Sequence, residues 1–231
     1  MKLVSLKGGD NMPKVTEDYI NKKRAEIIDA AFIIFQQKPL YEMTMLDVIK
    51  QAGLSKGGIY RYFSDIDDVI IELINRETCR CNYKDNIDDI INCNNKYEVI
   101  IKDLFKLLGK HINESSDTVG KIQFELTVLV ANHPEKDEKI SSKLTEHENG
   151  QYLINSLFQK IIAGITIGEF KPALSVEDIF AYIRVYIEGL VKIVVLERCY
   201  GANTSSIDSE KMMLMLSQTI LNMLKERVVG M

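Results

Sequence analysis

One stretch of this chain combines residue types and spacing that point to a specific chemistry: GLSKGGIYRYF, Gly53 to Phe63. It brings Ser55, Lys56, the adjacent Gly57 and Gly58, Tyr60, Arg61 and Tyr62 into one short segment. Glycine costs roughly 0.5–1 kcal/mol relative to alanine at an interior helix position, so a pair of them inside a helix needs a reason. A helix laid in the major groove of DNA supplies one. With no side chain at 57 and 58, the backbone can come close to base edges or sugars. Lys56 offers a cation to phosphate or to guanine O6 and N7. Tyr60 and Tyr62 carry hydroxyls on stiff rings, suited to phosphate oxygens that fix register. Arg61 points elsewhere on the helix and can reach a phosphate or a base. The competing reading packs both tyrosines into a core with Ile59 and Phe63, and spacing alone leaves both readings open.

Other chemistries lack their residues. The sequence has no glycine-rich phosphate loop, no HExxH and no pair of Glu-x-x-His motifs, so no enzymatic activity is expected. His111, His133 and His147 are isolated from one another. Cys79, Cys81, Cys93 and Cys199 have no zinc-binding spacing and read as free thiols, with a thiol-oxidation response as the lesser alternative. The asparagine-rich piece Asn82–Asn95 lacks EF-hand spacing and its central glycine. No metal and no cofactor is expected.

Hydrophobic residues make up 46% of the 231 positions, enough for a sizeable core. No apolar run reaches the roughly 18 residues of a membrane span, and no strongly basic amphipathic face suggests a membrane surface. MKLVSLKGGD lacks the features of a secretory signal, so the expected location is cytoplasmic. Lys7 to Asp10 can be encoded by a purine-rich run of the kind that binds ribosomes, and translation is expected to start at Met12. The net charge of −4 argues against a general nucleic-acid coat, but it is unevenly spread. Met1–Ser64 carries 10 basic against 7 acidic residues, and the remainder 19 against 26. Such asymmetry suggests separate partners for the two parts.

The elements that must position the stretch read as helices. Apolar residues recur at helical spacing throughout, prolines punctuate, and nothing reads as a sheet, so the fold class is all-α. A first helix is expected over about Thr16–Lys38, with Ile20, Ile27, Ala31, Ile34 and Phe35 as its buried stripe and Arg24 on the outer side. Thr44 and Asp47 have capping-box spacing for a second helix ending at Ala52, where Gly53 suits the left-handed exit. Ser55 caps a third over Lys56–Tyr62, and Ser64 or Asp65 caps a fourth, which the asparagine-rich piece interrupts or ends. Two short helices around Gly53 form a helix-turn-helix pattern. Further helices are expected at Tyr97–Ile112, Asp117–Asn132, Glu135–Ile167 with a break near Gly150, Val176–Cys199 and Ser206–Val228. The last two are apolar on more than one face. They are either core helices or a pair that packs against its own copy as a four-helix bundle.

Thr16 to Val69 resembles the N-terminal domain of the tetracycline-repressor (TetR) family of bacterial regulators. RAEIIDAAFIIF, Thr44 opening TMLDVIKQAGLSKGGIYRYF, and the acidic SDIDD after it carry the resemblance. It implies a three-helix helix-turn-helix DNA-binding domain over 16–64, after a leader over 1–15. A helical effector-binding and dimerisation domain over 65–231 would follow. The implied DNA contacts are Thr44, Ser55, Lys56, Gly57, Gly58, Tyr60 and Tyr62, with Arg61 as a variable one. The implied partners are palindromic double-stranded operator DNA, a second copy of the chain as homodimer, and an unknown small-molecule effector that releases a repressor. Control by a protein partner is the alternative. Aromatic candidates for the effector pocket are Phe105, Phe124, Tyr152, Phe158, Tyr182 and Tyr186, with Glu125 or Glu188 to attract a cation, each with core packing as its competing reading. The implied dimer interface lies on the last two helices, with Ile187, Leu190, Val194, Met213, Leu216, Ile220 and Met223 as candidates. Three departures stand out: Pro39 where glycine often ends the first helix, Ile66 where lysine often opens the fourth, and Gly58 where threonine or serine is frequent.

Overall fold

Helices account for all the regular structure among the residues described, 16–80, 82–145, 148–202 and 207–225, in this computed structural model. The protein is all-α. The expected leader with its start at Met12, Cys81, His147 and both expected ends of the last helix, Ser206 and Val228, lie outside the described residues. The chain divides into two units, Met1–Ile70 and Ile71–Met231.

In the first unit, α1 (Glu17–Gln37) buries Ile27, Ile28, Ala30, Ala31, Ile34 and Phe35. Ile20, expected in the same stripe, is 39% exposed, two turns before the buried segment begins. Pro39 holds φ at −66°, and Lys38 before it is extended, so α1 ends by extension rather than by a left-handed residue. A 3-10 turn at Leu40–Glu42 then delivers Thr44 to the start of α2 (Met45–Ala52). Gly53 closes α2 at φ +63°, a conformation cheap for glycine alone. α3 comprises Lys56–Ile59, shorter than the expected Lys56–Tyr62. Tyr60 sits at ψ −5°, and the chain leaves the helix in a turn in which the Tyr62 and Phe63 N–H groups donate to the Ile59 carbonyl at 2.9 and 3.2 Å. The turn drops Phe63 into the core beside Ile59, both almost fully buried. Asp65 caps α4 (Ile66–Arg80): its carboxylate accepts from the Asp68 N–H at 3.0 Å.

The second unit contains the end of α4, then α5 (Lys84–Ile91) inside the asparagine-rich piece, and α6 (Tyr97–Ser115). A π-helical turn at Ser116–Gly120 joins α6 to α7 (Lys121–Asn132). The expected helix over Glu135–Ile167 is instead a 3-10 turn, α8 (Asp137–Ser141) and α9 (Glu148–Thr166), so its break precedes Gly150. α10 (Val176–Tyr200) and α11 (Ser209–Lys225) complete the unit. α6 and α11 pack with almost no gap: a Cβ on Gly109 would stand 2.9 Å from the Glu210 Cα, and the Ser209 hydroxyl donates to the Gly109 carbonyl at 3.1 Å. This packing buries Leu190, Val194, Met213, Leu216 and Ile220 inside the protomer, with Ile187 and Met223 half-buried against the same core. Five of the seven expected interface residues are thus core residues of the single chain, because one face of each terminal helix is consumed by α6 and its neighbours. No described helix is long and apolar enough to cross a membrane.

Candidate nucleic-acid interface and effector cavity

The geometry around GLSKGGIYRYF starts at the end of α1. Lys38 Nζ lies 2.5 Å from the Asp47 carboxylate, which also accepts from the Thr44 N–H at 2.9 Å and its hydroxyl at 2.6 Å. The Thr44 oxygen accepts from the Asp47 N–H at 3.3 Å, completing a capping box with Asp in place of Glu. The Lys38 contact, followed by Thr44, holds the Asp47 carboxyl down at about 2. At α3 the Ser55 oxygen accepts from the Gly58 N–H at 3.1 Å. The N-terminal ends of α2 and α3 are therefore both set by short side-chain caps, with Thr44 and Ser55 exposed.

Around α3 the side chains sort cleanly. Lys56, Gly57, Tyr60 and Arg61 are exposed, Gly58 and Tyr62 are half-buried, and Ile59 faces the core. Tyr60 is 47% exposed, so its ring lies at the surface and not in the core. A Cβ at Gly57 would meet nothing within 4 Å, whereas one at Gly58 would stand 3.1 Å from the capping Ser55 oxygen. A residue larger than glycine at 58 would thus press on the cap itself. Arg24 contributes what the sequence reading missed. It is half-buried, its guanidinium 4.4 Å over the Phe63 ring and its Nη1 donating to the Tyr62 carbonyl at 2.5 Å. Its place three and four residues before the buried Ile27 and Ile28 was the available signal. Arg24 ties the end of the α3 turn to α1 and so fixes where the tyrosines project.

The second unit holds a cavity of about 690 Å³, bounded by α4, α6, the π-helical turn, α7, α9 and α10. Its walls mix aliphatic side chains, Leu108, Ile112, Val119, Ile183 and Val191 among them, with polar ones, of which Gln123, Gln151, Asn155, Arg184 and Glu188 are exposed. Phe158 lines it and stacks on Phe180 at 3.9 Å between ring centres, and Glu188 stands at its rim. The other expected pocket residues lie elsewhere. Phe105 is fully buried in the core. Phe124 packs edge-on to Tyr200, whose hydroxyl donates to the buried Glu125, itself 3.7 Å from Lys121 Nζ. The Tyr152 hydroxyl donates to Asp88 at 2.5 Å, and that of Tyr186 to the Met212 carbonyl at 3.4 Å. Tyr182 is 42% exposed beside Tyr186. His111, Ser115, Ser116 and Arg184 line the cavity and were not anticipated as a group, since the first three lie at the end of α6 and the start of the π-helical turn, Arg184 comes from α10, and none belongs to a motif.

A capped two-helix unit that exposes a glycine-floored, cation-bearing helix, joined to an all-helical body with a ligand-sized cavity, defines a helix-turn-helix DNA-binding regulator. Residues 27–73 match the family described as "Bacterial regulatory proteins, tetR family". It is 27% identical over 180 residues to the uncharacterised HTH-type transcriptional regulator YfiR of Bacillus subtilis, covering 78% of this chain and 83% of that one. It is 26% identical over 156 residues to the fatty acid metabolism regulator protein of the same organism, covering 67% and 74%. The transcriptional regulator FadR from Bacillus subtilis, solved in complex with stearoyl-CoA, shares the fold with a TM-score of 0.53, 17% identity, and coverage of 85% and 96%. The protein is a DNA-binding transcriptional regulator.

Proposed function

We propose that the protein acts as a homodimer on a palindromic operator, as a repressor that a small molecule in the cavity releases from DNA. The observation that carries this reading is the exposed face of α3 and its turn, where Lys56, Gly57, Tyr60 and Arg61 share the surface behind the Ser55 cap. On this reading Thr44 and Ser55 bring helix N-termini to phosphate. Gly57 and Gly58 let the backbone approach the bases, Lys56 and Arg61 supply cations, and Tyr60 and Tyr62 grip phosphate. Dimerisation would use the apolar side chains that α10 and α11 leave exposed: Val185 at 71%, Ile193 at 36%, Leu214 at 49% and Met215 at 54%. The aliphatic part of the cavity wall is in keeping with a relative named for fatty acid metabolism. An effector that binds better to the arrangement unfit for DNA must weaken operator affinity by the same factor by which DNA weakens effector binding. The test is a mobility-shift assay with DNA from upstream of the protein's own gene. A salt-sensitive, sequence-selective shift is expected; a shift equal for all sequences, or none with any native upstream region, overturns the proposal.

A further inference from the structure

On the reading that the cavity is the effector site, we propose that its ligand is an uncharged amphiphile: an apolar body ending in one hydrogen-bonding group seated at His111. The first argument is which polar atoms inside the cavity are already engaged. The Thr78 hydroxyl donates to the Ile74 carbonyl. That of Ser115 donates to the His111 carbonyl at 2.7 Å, and the Ser116 oxygen accepts from Arg198 Nη1 at 2.8 Å. His111 differs. Its Nδ1 is buried without a hydrogen-bond partner among the described residues, and Tyr83 holds the ring edge-on at 4.7 Å between centres. Buried polar atoms in native proteins are nearly always paired, and this unpaired one belongs to a side chain that lines the cavity, where a ligand can supply the missing partner.

The second argument is charge. Burial pushes the His111 pKa below its ordinary value, outweighing the opposing pull of Glu114, so the ring meets its ligand as neutral imidazole. At the rim, Arg184 and Glu188 sit one turn apart on α10, and no other Lys, Arg, Asp or Glu is among the described lining residues. The two charges cancel, and the chain beyond Ser64 carries 19 basic against 26 acidic residues. A head group with several phosphates, such as coenzyme A, would meet one arginine beside a carboxylate in an acidic field. A hydroxyl suits His111 in either tautomer, since it both donates and accepts.

The test compares one tail with different heads on the full chain: 1-decanol, decanoate, decanoyl-CoA and 1-chlorodecane, each competing with the fluorescent apolar probe Nile red. Decanol is expected to displace the probe at concentrations at least about tenfold lower than decanoyl-CoA, with decanoate between them. His111→Leu should weaken decanol about two- to tenfold, the worth of one neutral hydrogen bond, and leave 1-chlorodecane unchanged. Decanoyl-CoA binding as tightly as decanol, or His111→Leu weakening both uncharged tails equally, overturns the proposal. So does failure of every compound to displace Nile red from protein that still shifts its operator. Loss of the operator shift itself would instead count against the proposed function. The head-group comparison uses wild-type protein and decides the matter even if the variant does not fold.

Discussion

Gly57→Ala separates what the fold needs from what DNA needs. An added methyl at this position meets no protein atom within 4 Å, and the residue is not among the glycines with positive φ. Alanine also restricts the unfolded chain, so the variant should be more stable by about 0.4–1 kcal/mol. For a chain of this length that raises Tm by roughly 1–4 °C. On DNA the sign reverses. If the backbone of α3 lies against the groove, the methyl occupies space meant for bases or sugars, and forcing a group into a packed contact costs about 1–3 kcal/mol. A dimer meets the penalty twice, about 2–6 kcal/mol, which is roughly 30-fold to 10⁴-fold in operator affinity. Thermal unfolding and fluorescence anisotropy on a labelled operator read the two effects separately. Wild-type affinity in the alanine variant would refute the claim that glycine is there for close approach. Gly58→Ala does not discriminate in this way, because its Cβ would stand 3.1 Å from the Ser55 oxygen and disturb the cap as well.

Three other outcomes follow from the same geometry. The Tyr60→Phe, Tyr62→Phe double variant should weaken operator and non-operator DNA by similar factors, about two- to tenfold per hydroxyl, in filter-binding or anisotropy titrations; a loss confined to the operator would make the tyrosines base readers. The Asp47 carboxyl, held at about 2 instead of 3.8, contributes stability that is complete above about pH 4 and lost as pH falls through about 2. With both partners 28% exposed, screening limits that contribution to about 1 kcal/mol, so the stability gap to Asp47→Asn in urea titrations should close over that window, and a gap constant with pH would be contrary to it. If the proposed dimer forms through α10, Val185→Asp should convert it to folded monomer in sedimentation experiments, whereas a dimer of unchanged strength would move the interface away from α10.

The two units differ in how much of them could be read from the chain, and the reason is physical. Helix caps are made within four residues, so Thr44 with Asp47, Gly53 and Ser55 announced α2 and α3 through local hydrogen bonding alone. The length of α3 was not local: Phe63 is drawn into the core and Arg24 reaches across from α1 to hold the turn, which ends the helix at Ile59. In α10 and α11 the apolar residues surround the helix, and periodicity cannot tell a neighbour in the same chain from one in a second copy. Leu190 and Val185, five residues apart and about 140° around the helix, show the two cases: one is 4% exposed and the other 71%. A cavity is harder still to read, because it is defined by where side chains fail to meet. Of the aromatic candidates only Phe158 lines the cavity and Phe105 is core, while His111 and Arg184 line it from α6 and α10, 73 positions apart in the chain. The chemistry proposed to face DNA is contiguous because, on that reading, one short helix presents it to the groove. The cavity chemistry is dispersed because enclosing a ligand takes several helices, each contributing part of the lining.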